Sequence, residues 1–360
     1  MAPVTHKAPE PDPSTHQQHD DANGAAMRIG LVGVGRIGAF HAETLKGLDF
    51  VDELVLADAD ADAARRVADQ LGVAHAPDPE SLLASGVDGF VIAAATPAHA
   101  PLLRQGLAAG VPTFCEKPVA GTLEETLELA KLAETSDVPV HIGFQRRFDQ
   151  GYQRVAQAIR DGDLGFVHTI RAMTHDQAPP HASYIPTSGG LFRDCSVHDF
   201  DIIRFVTGRE VVSVYATGAN KGESFFSEAG DVDTAAALLT LDDDTLVSVT
   251  ATRYNGAGHD VRLEASGSKG AMGVGLDHSL ALRSAEEGVD FPKGPQHWSF
   301  MERFLPAYRA ELTAFAEVAE GTRPSPCTVE DALQAFRIAE ACEQSRHEGR
   351  PVRLEEIESL

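Results

Sequence analysis

The side chains best suited to acid–base chemistry in this sequence are those of Asp194 and His198. The two residues are four positions apart, so their side chains share one face if the segment is helical. A histidine near a carboxylate, at a helix start that follows the glycine-rich residues 188–190, can act as a general base near neutral pH. In the alternative, structural interpretation, Asp194 caps the helix and His198 is an ordinary surface histidine.

A glycine-rich turn near the start of the chain indicates the ligand that such a base would serve. An apolar run ends at Gly33, and Gly35 and Gly38 follow with the spacing GxGxxG. This pattern places a dinucleotide pyrophosphate on the N-terminus of the following helix. Gly33 would permit the tight turn, Gly35 would let the backbone approach the pyrophosphate, and Gly38 would let helix and strand pack closely. A turn whose glycines serve only steric needs is the alternative.

An acidic residue at the end of the next apolar run supports the dinucleotide interpretation. Asp58 follows the glycines by about twenty residues, where a carboxylate accepts hydrogen bonds from the adenosine ribose hydroxyls. Because this carboxylate would repel a 2′-phosphate, Asp58 favours NAD over NADP. Arg36, Arg65 and Arg66 are the residues that could instead meet a phosphate, but arginines on helices are usually solvated or paired.

Two further polar segments follow predicted strands, at the sheet edge where such folds bind ligands. Thr96 and His99 follow the strand 88–94, and Glu116 and Lys117 follow the strand 112–115. A lysine there can reach the nicotinamide end of the cleft, where a cation lowers the barrier to oxidising a secondary hydroxyl. A surface or capping role for His99 and a surface turn at Lys117 are the alternatives. The predicted cofactor contacts are Gly33, Gly35, Arg36, Ile37, Gly38, Asp58, Thr96, His99, Glu116 and Lys117.

Hydrophobic periodicity predicts an α/β fold in two domains. Residues 27–145 alternate short apolar runs with helical stripes, which predicts a Rossmann fold with a doubly wound parallel sheet. Residues 146–360 contain successive strand-like runs without helices between them, which implies antiparallel pairing. We expect this C-terminal α+β domain to bind substrate and to carry a mostly antiparallel, open-faced sheet whose bare face is a candidate oligomer surface. Two helices, near 302–320 and 328–347, are expected to pack back across both domains.

Composition excludes several classes of partner. The formal net charge of −24 argues against binding to nucleic acid and to anionic membranes. No apolar run approaches the roughly eighteen residues of a transmembrane helix. The four cysteines lack metal spacing and indicate a reducing, cytoplasmic setting. Fifteen histidines show neither HExxH nor HxH spacing, so we predict no metal site.

Residues 1–26 are rich in Pro, His, Asp and Gln and contain no apolar core of a signal peptide, so we expect a disordered leader. His6, His16 and His19 could chelate a metal, although a solvated leader is the simpler interpretation. A start codon placed upstream of Met27 would explain the segment equally well.

Together, these segments resemble the Gfo/Idh/MocA family of oxidoreductases and, within it, the inositol 2-dehydrogenases. The resemblance covers nearly everything from Arg28 to Leu354. The segments that carry it are residues 33–38 with His41, Asp58, 96–99, 116–118, 143–149, 188–194, 198–201, 254–260 and 303–308.

The resemblance implies NAD-dependent oxidation of a secondary hydroxyl of a cyclic polyol or sugar to a ketone. It assigns His198 as the general base, Lys117 as the group that orients and polarises the hydroxyl, and Asp194 as the residue that holds the set through hydrogen bonds. It also implies that Arg146 contacts the polyol. Because family members are commonly tetramers built through the open sheet face, we expect a homotetramer.

The residues around the expected substrate leave the identity of the polyol open. Tyr254 and His259 are predicted substrate contacts, but related inositol dehydrogenases can carry a tyrosine at the position of His259. Asp176, His181 and Tyr184 are further candidates, with loop solvation as the alternative. An NAD-dependent glycoside hydrolase and a non-catalytic cofactor-binding regulator remain the competing functions.

Overall fold

A computed structural model of the protein describes residues 27–289 and 294–358. The predicted disordered leader, with its three histidines, lies outside the described residues. Two sheets and the helices around them organise the described chain.

The first sheet is entirely parallel. Its strands are β1 (Met27–Val32), β2 (Val51–Ala57), β3 (Ala74–His75), β4 (Gly89–Ile92), β5 (Thr113–Glu116) and β6 (Val140–Gly143). Its helices are α1 (Arg36–Lys46), α2 (Ala61–Leu71), α3 (Pro79–Ala84), α4 (His99–Ala108) and α5 (Leu123–Glu134). The strand order β3-β2-β1-β4-β5-β6 confirms the predicted Rossmann sheet.

The strand order reverses direction at β1, and this reversal locates the ligand cleft. β2 lies on one side of β1 and β4 on the other, so the two crossovers run away from each other and leave a crevice beyond the carboxyl ends of the strands. Apart from Arg28 near the start of β1, the residues of the central strands β1 and β4 are apolar or glycine, because helices cover both faces. The glycine-rich turn follows β1 and therefore opens into this crevice.

Sequence periodicity did not predict β3 and α3. β3 is only two residues long and exposed, so it has no period to detect. α3 is six residues long and starts at Asp78, whose side chain accepts the Ser81 backbone N–H at 2.7 Å. The Asp78-Pro79 pair was the available signal for this helix start.

The second sheet is mostly antiparallel, as predicted. Its strands are β7 (Val167–His175), β8 (Val211–Ala219), β9 (Thr234–Leu241), β10 (Leu246–Thr252), β11 (Asp260–Gly267), β12 (Ala271–Val274) and β13 (Val352–Arg353), in the order β12-β11-β7-β10-β9-β8-β13. Its helices are α6 (Gln150–Arg160), α7 (Val197–Thr207), α8 (Phe225–Glu228), α9 (Phe300–Ala319), α10 (Val329–Glu348) and α11 (Leu354–Glu358). The pairing of β7 with β10 is parallel, and this exception shapes the site.

One face of the second sheet is bare of helices from the described part of the chain. Alternate residues of β9 are buried and exposed, as expected for a strand with one covered face. On the bare face, Tyr215 lies opposite Leu238, and the two side chains are 43% and 61% exposed. Leu246 on the neighbouring strand is 59% exposed.

The last long helices join both sheets, as expected. Leu312 and Phe315 of α9 belong to the same buried cluster as Ile29 and Leu31 of β1. α10 packs against α5 of the first sheet and against α7 and β8 of the second. The C-terminal part of the chain therefore completes the core of the N-terminal sheet.

Candidate active site

The glycine turn after β1 is built to admit an anion. A Cβ atom on Gly33 would lie 2.4 Å from the Ala94 backbone, and one on Gly38 would lie 1.8 Å from the Gly33 carbonyl oxygen. Packing therefore demands both glycines. A Cβ atom on Gly35 would meet no described atom within 4 Å, so this glycine borders open space.

The start of α1 lies beside that open space with its backbone N–H groups uncapped. Gly35 is the N-cap, no described side chain accepts from this helix end, and its first turn holds no acidic residue. Such N–H groups attract phosphate oxygens. The turn thus fits the pyrophosphate of a dinucleotide, with Arg36 and Ile37 in the first helical turn.

Asp58 is fixed beside the same turn. Its Oδ2 accepts the Val34 N–H at 2.7 Å and its Oδ1 accepts the Asp60 N–H at 2.9 Å. A carboxylate oxygen can accept a second hydrogen bond, so both oxygens remain able to take a ribose hydroxyl.

The three arginines that could have met a 2′-phosphate have other partners. Arg65 pairs with Asp62, and Arg66 lies 3.6 Å from Asp60. The guanidinium of Arg36 lies over the Phe300 ring, 5.3 Å from its centroid. This arrangement agrees with NAD as the cofactor.

Thr96 is half-buried and begins a 3₁₀ turn directly after the loop that follows β4. His99 is buried, with Nδ1 2.7 Å from the Pro118 carbonyl oxygen and Nε2 2.9 Å from the Ala94 carbonyl oxygen. Neither ring nitrogen is left for the predicted cofactor contact. His99 instead ties the loop after β5 to the loop after β4.

Glu116 also faces the protein rather than the cleft. Its Oε1 lies 2.6 Å from Nε2 of His41 on α1, and its Oε2 accepts the Lys117 N–H at 3.2 Å. Both oxygens of this predicted cofactor contact are therefore engaged. The pair links the pyrophosphate helix to the backbone of Lys117.

Lys117 crosses from the first sheet to the second half of the chain. Its Nζ donates to the Asp194 carbonyl oxygen at 2.9 Å and lies 3.3 Å from Asp194 Oδ1. The structure therefore brings together two of the three residues predicted to be catalytic.

Asp194 lies in a π-helical turn, Phe192–Ser196, that leads into α7. Its Oδ1 also accepts the Tyr184 hydroxyl at 3.0 Å, and its Oδ2 lies 2.5 Å from Nη2 of Arg253. Burial disfavours the charged carboxylate, but Lys117 and Arg253 outweigh burial and lower the pKa of Asp194 to about 2. Asp194 is an anchor for cations at neutral pH and not a base.

His198, in α7, is the residue predicted to be the general base. Its ring lies edge-on to Phe144, and its Nδ1 is buried without a partner among the described residues. Burial lowers the pKa of His198 well below the ordinary histidine value, and the charges of Lys117 and Arg146 act in the same direction. The imidazole is therefore neutral near pH 7 and able to accept a proton.

The structure corrects the expected pairing of Asp194 with His198. Within the described chain the two side chains share no hydrogen bond, because the π turn replaces the i→i+4 spacing on which the expectation rested. Asp194 holds Lys117 instead. It also does not cap α7, which begins after Ser196.

Arg253 is a member of the site that sequence reasoning missed. It is 4% exposed, and its Nη1 lies 3.0 Å from Asp176 Oδ2 while its Nη2 contacts Asp194. Asp176 Oδ1 lies 3.3 Å from Nδ1 of His259. His259 is 6% exposed, and its Nε2 has no partner in the described structure.

The parallel pairing of β7 with β10 creates this contact. Thr252 lies opposite His175 in the register, and Arg253 and Asp176 each follow directly. Because the carboxyl ends of parallel strands meet at one edge, the two side chains become neighbours. The sequence predicted a mostly antiparallel sheet and did not indicate which strands pair in parallel, so it gave no reason to join these residues.

Two predicted substrate residues form hydrogen bonds within the protein. Arg146 is 3% exposed and donates to Asp199 at 2.6 Å and to Thr174 at 2.8 Å. The Tyr254 hydroxyl accepts the Glu223 N–H at 3.0 Å. Arg146 acts on the site through its charge beside His198, and Tyr254 packs on the loop before α8.

Of the remaining loop candidates, Tyr184 reaches the site and His181 does not. The Tyr184 hydroxyl donates to Asp194, whereas the His181 ring contacts Ser183 on its own turn. Among the described residues, no three His, Cys, Asp or Glu side chains converge as metal ligands. No helix in that part of the chain is long and apolar enough to cross a membrane.

Known proteins share this architecture along nearly the whole chain. Residues 27–144 match the model of an oxidoreductase family with an NAD-binding Rossmann fold, and residues 152–273 match the GFO/IDH/MocA C-terminal domain. A myo-inositol dehydrogenase of Streptomyces leeuwenhoekii is 38% identical over 326 residues, which cover 90% of this chain and 98% of that protein. The myo-inositol 2-dehydrogenase of Thermotoga maritima is 34% identical over 334 residues, covering 92% and 99%.

A solved structure extends the likeness to the fold. The crystal structure of scyllo-inositol dehydrogenase from Lactobacillus casei, with bound NAD(H) and scyllo-inositol, matches with a TM-score of 0.82 and 28% identity. The match covers 91% of this chain and 99% of that chain. With both halves matched in order, and with relatives above 30% identity over most of its length, the chain belongs to the GFO/IDH/MocA family of NAD-dependent oxidoreductases.

Proposed function

We propose that the protein oxidises one secondary ring hydroxyl of an inositol to a ketone, with NAD as the cofactor. The observation that carries the proposal is the combination of a neutral, partly buried His198 with the ammonium of Lys117 at the carboxyl edge of the Rossmann sheet. Oxidation of an alcohol needs a proton acceptor and a cation beside the reacting oxygen, and these two residues supply them.

Bound NAD supplies the acceptor for the hydride. His198 takes the hydroxyl proton, and Lys117 stabilises the negative charge that develops on the oxygen. Asp194 keeps the ammonium in place through its carbonyl and its carboxylate. The charges of Lys117 and Arg146 that lower the pKa of His198 also favour passage of the proton onward to solvent.

The polar lining of the site supports a polyol as substrate. The Tyr184 hydroxyl, the free Nε2 of His259 and the Lys117 ammonium lie in one network and can meet several hydroxyl groups. Relatives named as myo-inositol and scyllo-inositol dehydrogenases point to the same substrate class.

An assay of NADH formation tests the proposal. The purified protein is mixed with NAD and with myo-, scyllo- and chiro-inositol, a set of aldoses and a chromogenic glycoside, and the series is repeated with NADP. NADH formation with an inositol is the expected result. If no compound in the set yields NADH under conditions where NAD binding is measured directly, the dehydrogenase assignment is overturned. Glycoside cleavage without net NADH would instead indicate a hydrolase.

We further propose that the protein is a cytoplasmic homotetramer in which residues 27–145 bind the cofactor and residues 146–360 bind substrate and form the subunit interface. Support for the interface comes from the exposed side chains of Tyr215, Leu238 and Leu246 on the bare sheet face. The four cysteines are buried and unpaired, which suits a reducing compartment.

A further inference from the structure

The guanidinium of Arg253 joins two carboxylates that come from different strands. Its Nη2 lies 2.5 Å from Asp194 Oδ2, and its Nη1 lies 3.0 Å from Asp176 Oδ2. Because the nitrogens of a guanidinium form a rigid planar fork, the group fixes the separation of the two carboxylates. The side chain is almost fully buried, so water does not replace either contact.

Each carboxylate holds a second group with its other oxygen. Asp194 Oδ1 lies 3.3 Å from Nζ of Lys117, and Asp176 Oδ1 lies 3.3 Å from Nδ1 of His259. The contacts therefore run without a gap from Lys117, at the edge of the first sheet, to His259, at the start of β11. We call these five residues the Arg253 bridge.

The far end of the Arg253 bridge carries an unused polar atom. Nε2 of His259 is buried and has no partner among the described residues. A buried polar nitrogen without a partner is costly, so such atoms are normally satisfied by water or by a ligand. The near end of the bridge, Lys117, is the group that contacts the reacting hydroxyl in the proposed function.

We propose that Arg253 is a positioning residue that sets the distance between Lys117, at the oxidised hydroxyl, and His259, at a second hydroxyl of the same ring. This inference rests on the proposed function and specifies its substrate as a polyol that carries at least two hydroxyls. The positions of Lys117 and His259 are fixed together, because the Arg253 guanidinium holds both Asp194, which contacts Lys117, and Asp176, which contacts His259.

The charges on the Arg253 bridge make its loss measurable. Three groups contact the Asp194 carboxylate: Lys117 after β5, Tyr184 in the 3₁₀ turn Ala182–Thr187, and Arg253 after β10. On the other side of the guanidinium, the Cys195 thiol contacts the Asp176 carboxylate. Without the guanidinium, the buried carboxylates of Asp176 and Asp194 lose their shared cation. Protonation of Asp194 then becomes easier, and its hold on Lys117 weakens.

Kinetics of Arg253→Lys and Arg253→Gln test the positioning role. A lysine keeps the charge but cannot contact both carboxylates at once, so we expect kcat/KM for the inositol to fall by about 100-fold in both variants, the scale of a small misplacement of reacting groups. The dissociation constant for NAD should stay within about twofold of wild type, because the hydrogen bonds of the Arg253 side chain go to Asp176 and Asp194 and not to the glycine turn. The double variant Asp176→Asn/Arg253→Gln should lower kcat/KM no further than Arg253→Gln alone does, since each change breaks the same bridge.

A second measurement does not depend on turnover. With ¹³C-labelled aspartate, the Asp194 carboxyl should titrate at a higher pH in Arg253→Gln than in the wild type and should stay low in Asp176→Asn, which retains the guanidinium. For the wild type, kcat/KM should be much lower with a deoxy-inositol that lacks the second hydroxyl than with the inositol itself. For His259→Phe, this difference should be much smaller.

The outcomes separate the two proposals. If the wild type makes no NADH from any inositol, the proposed function fails, whereas an unshifted Asp194 titration in Arg253→Gln would overturn the bridge itself. Unchanged kcat/KM in both Arg253 variants, or equal discrimination by wild type and His259→Phe, would also refute the positioning role. Unaltered NAD binding in the same samples shows that the variants are folded.

Discussion

Lys117 contacts Asp194 twice, through the backbone carbonyl at 2.9 Å and through the carboxylate at 3.3 Å. The lysine directly follows β5 of the parallel sheet, and the aspartate lies in the π turn Phe192–Ser196 that leads into α7. In the proposed function, the contact therefore fixes the position of the Lys117 ammonium relative to NAD and to the polyol. It also keeps a positive charge beside His198, which adds to the effect of burial in lowering the pKa of that histidine.

Replacement of His198 by alanine should lower kcat by roughly 10²–10⁴-fold, the range that general base catalysis supplies. NAD affinity should hardly change, because the cofactor turn lies on the other sheet. Steady-state kinetics and NAD titration measure the two effects. His347→Ala, at an exposed histidine near the end of α10, is the matched control. Near-normal turnover of His198→Ala would disprove the base assignment.

The pH profile of kcat/KM should have an acid limb below pH 6.5, the ordinary histidine pKa. Activity requires neutral His198, so it is full above the lowered pKa and is lost as the pH falls through it. Because the charge of Lys117 contributes to the shift, Lys117→Met should move the limb to higher pH while lowering the rate. Lys131→Met, at an exposed position of α5, should leave the limb in place. An acid limb at or above pH 6.5 in the wild type would contradict this account.

Two glycine variants separate cofactor binding from folding. Gly35→Ala meets no described atom, so the melting temperature should hold while NAD binding weakens by about tenfold or more, equivalent to ~1.4 kcal/mol. Gly38→Ala places a methyl group 1.8 Å from the Gly33 oxygen and should destabilise the fold outright. Thermal unfolding and NAD titration distinguish the two. Equal melting temperatures for both variants would contradict the close contact between Gly38 and the Gly33 carbonyl oxygen.

Asp58 should set the preference for NAD. Asp58→Ser removes the negative charge that repels a 2′-phosphate, so the ratio of kcat/KM for NADP to that for NAD should rise. The ratio is informative even if the variant loses stability through its contact with Val34. Asp69→Ser, at an exposed position of α2, serves as the control. An unchanged ratio would mean that another residue excludes the phosphate.

The bare sheet face should mediate assembly. Leu238→Lys and Leu246→Lys each place a charge among exposed apolar side chains, and light scattering should show smaller assemblies than the wild type forms. Leu282→Lys, 47% exposed and outside the sheet, is the matched control. If both sheet variants still form the tetramer, the subunit interface lies elsewhere on the protein.

Local signals predicted much of this fold and the cofactor turn. The GxGxxG spacing, Asp58 and the alternation of buried strands with amphipathic helices act over short stretches of chain, and α1 follows the glycine-rich turn as predicted. Each of these features is a property of consecutive residues. Sequence alone was therefore sufficient to place them.

The arrangement of the substrate side depends on distant strands, which local patterns do not report. Arg253 and Asp176 become neighbours only because β7 and β10 run parallel, although 77 residues separate them. The π turn at Asp194 likewise breaks the regular spacing from which a contact with His198 was expected. Both departures come from tertiary pairing and backbone geometry, and both lie at the site.

The packing of α9 on β1 also bears on how the chain folds as it is synthesised. Leu312 and Phe315 close the core around Ile29 and Leu31, yet they leave the ribosome almost three hundred residues later, a delay of roughly 15–60 s at ordinary elongation rates. Until α9 emerges, the strands that carry the glycine turn have an uncovered apolar face. The parallel sheet thus lacks part of its core until α9 has been made, and we expect the nascent chain to bind NAD only after Phe315 has emerged.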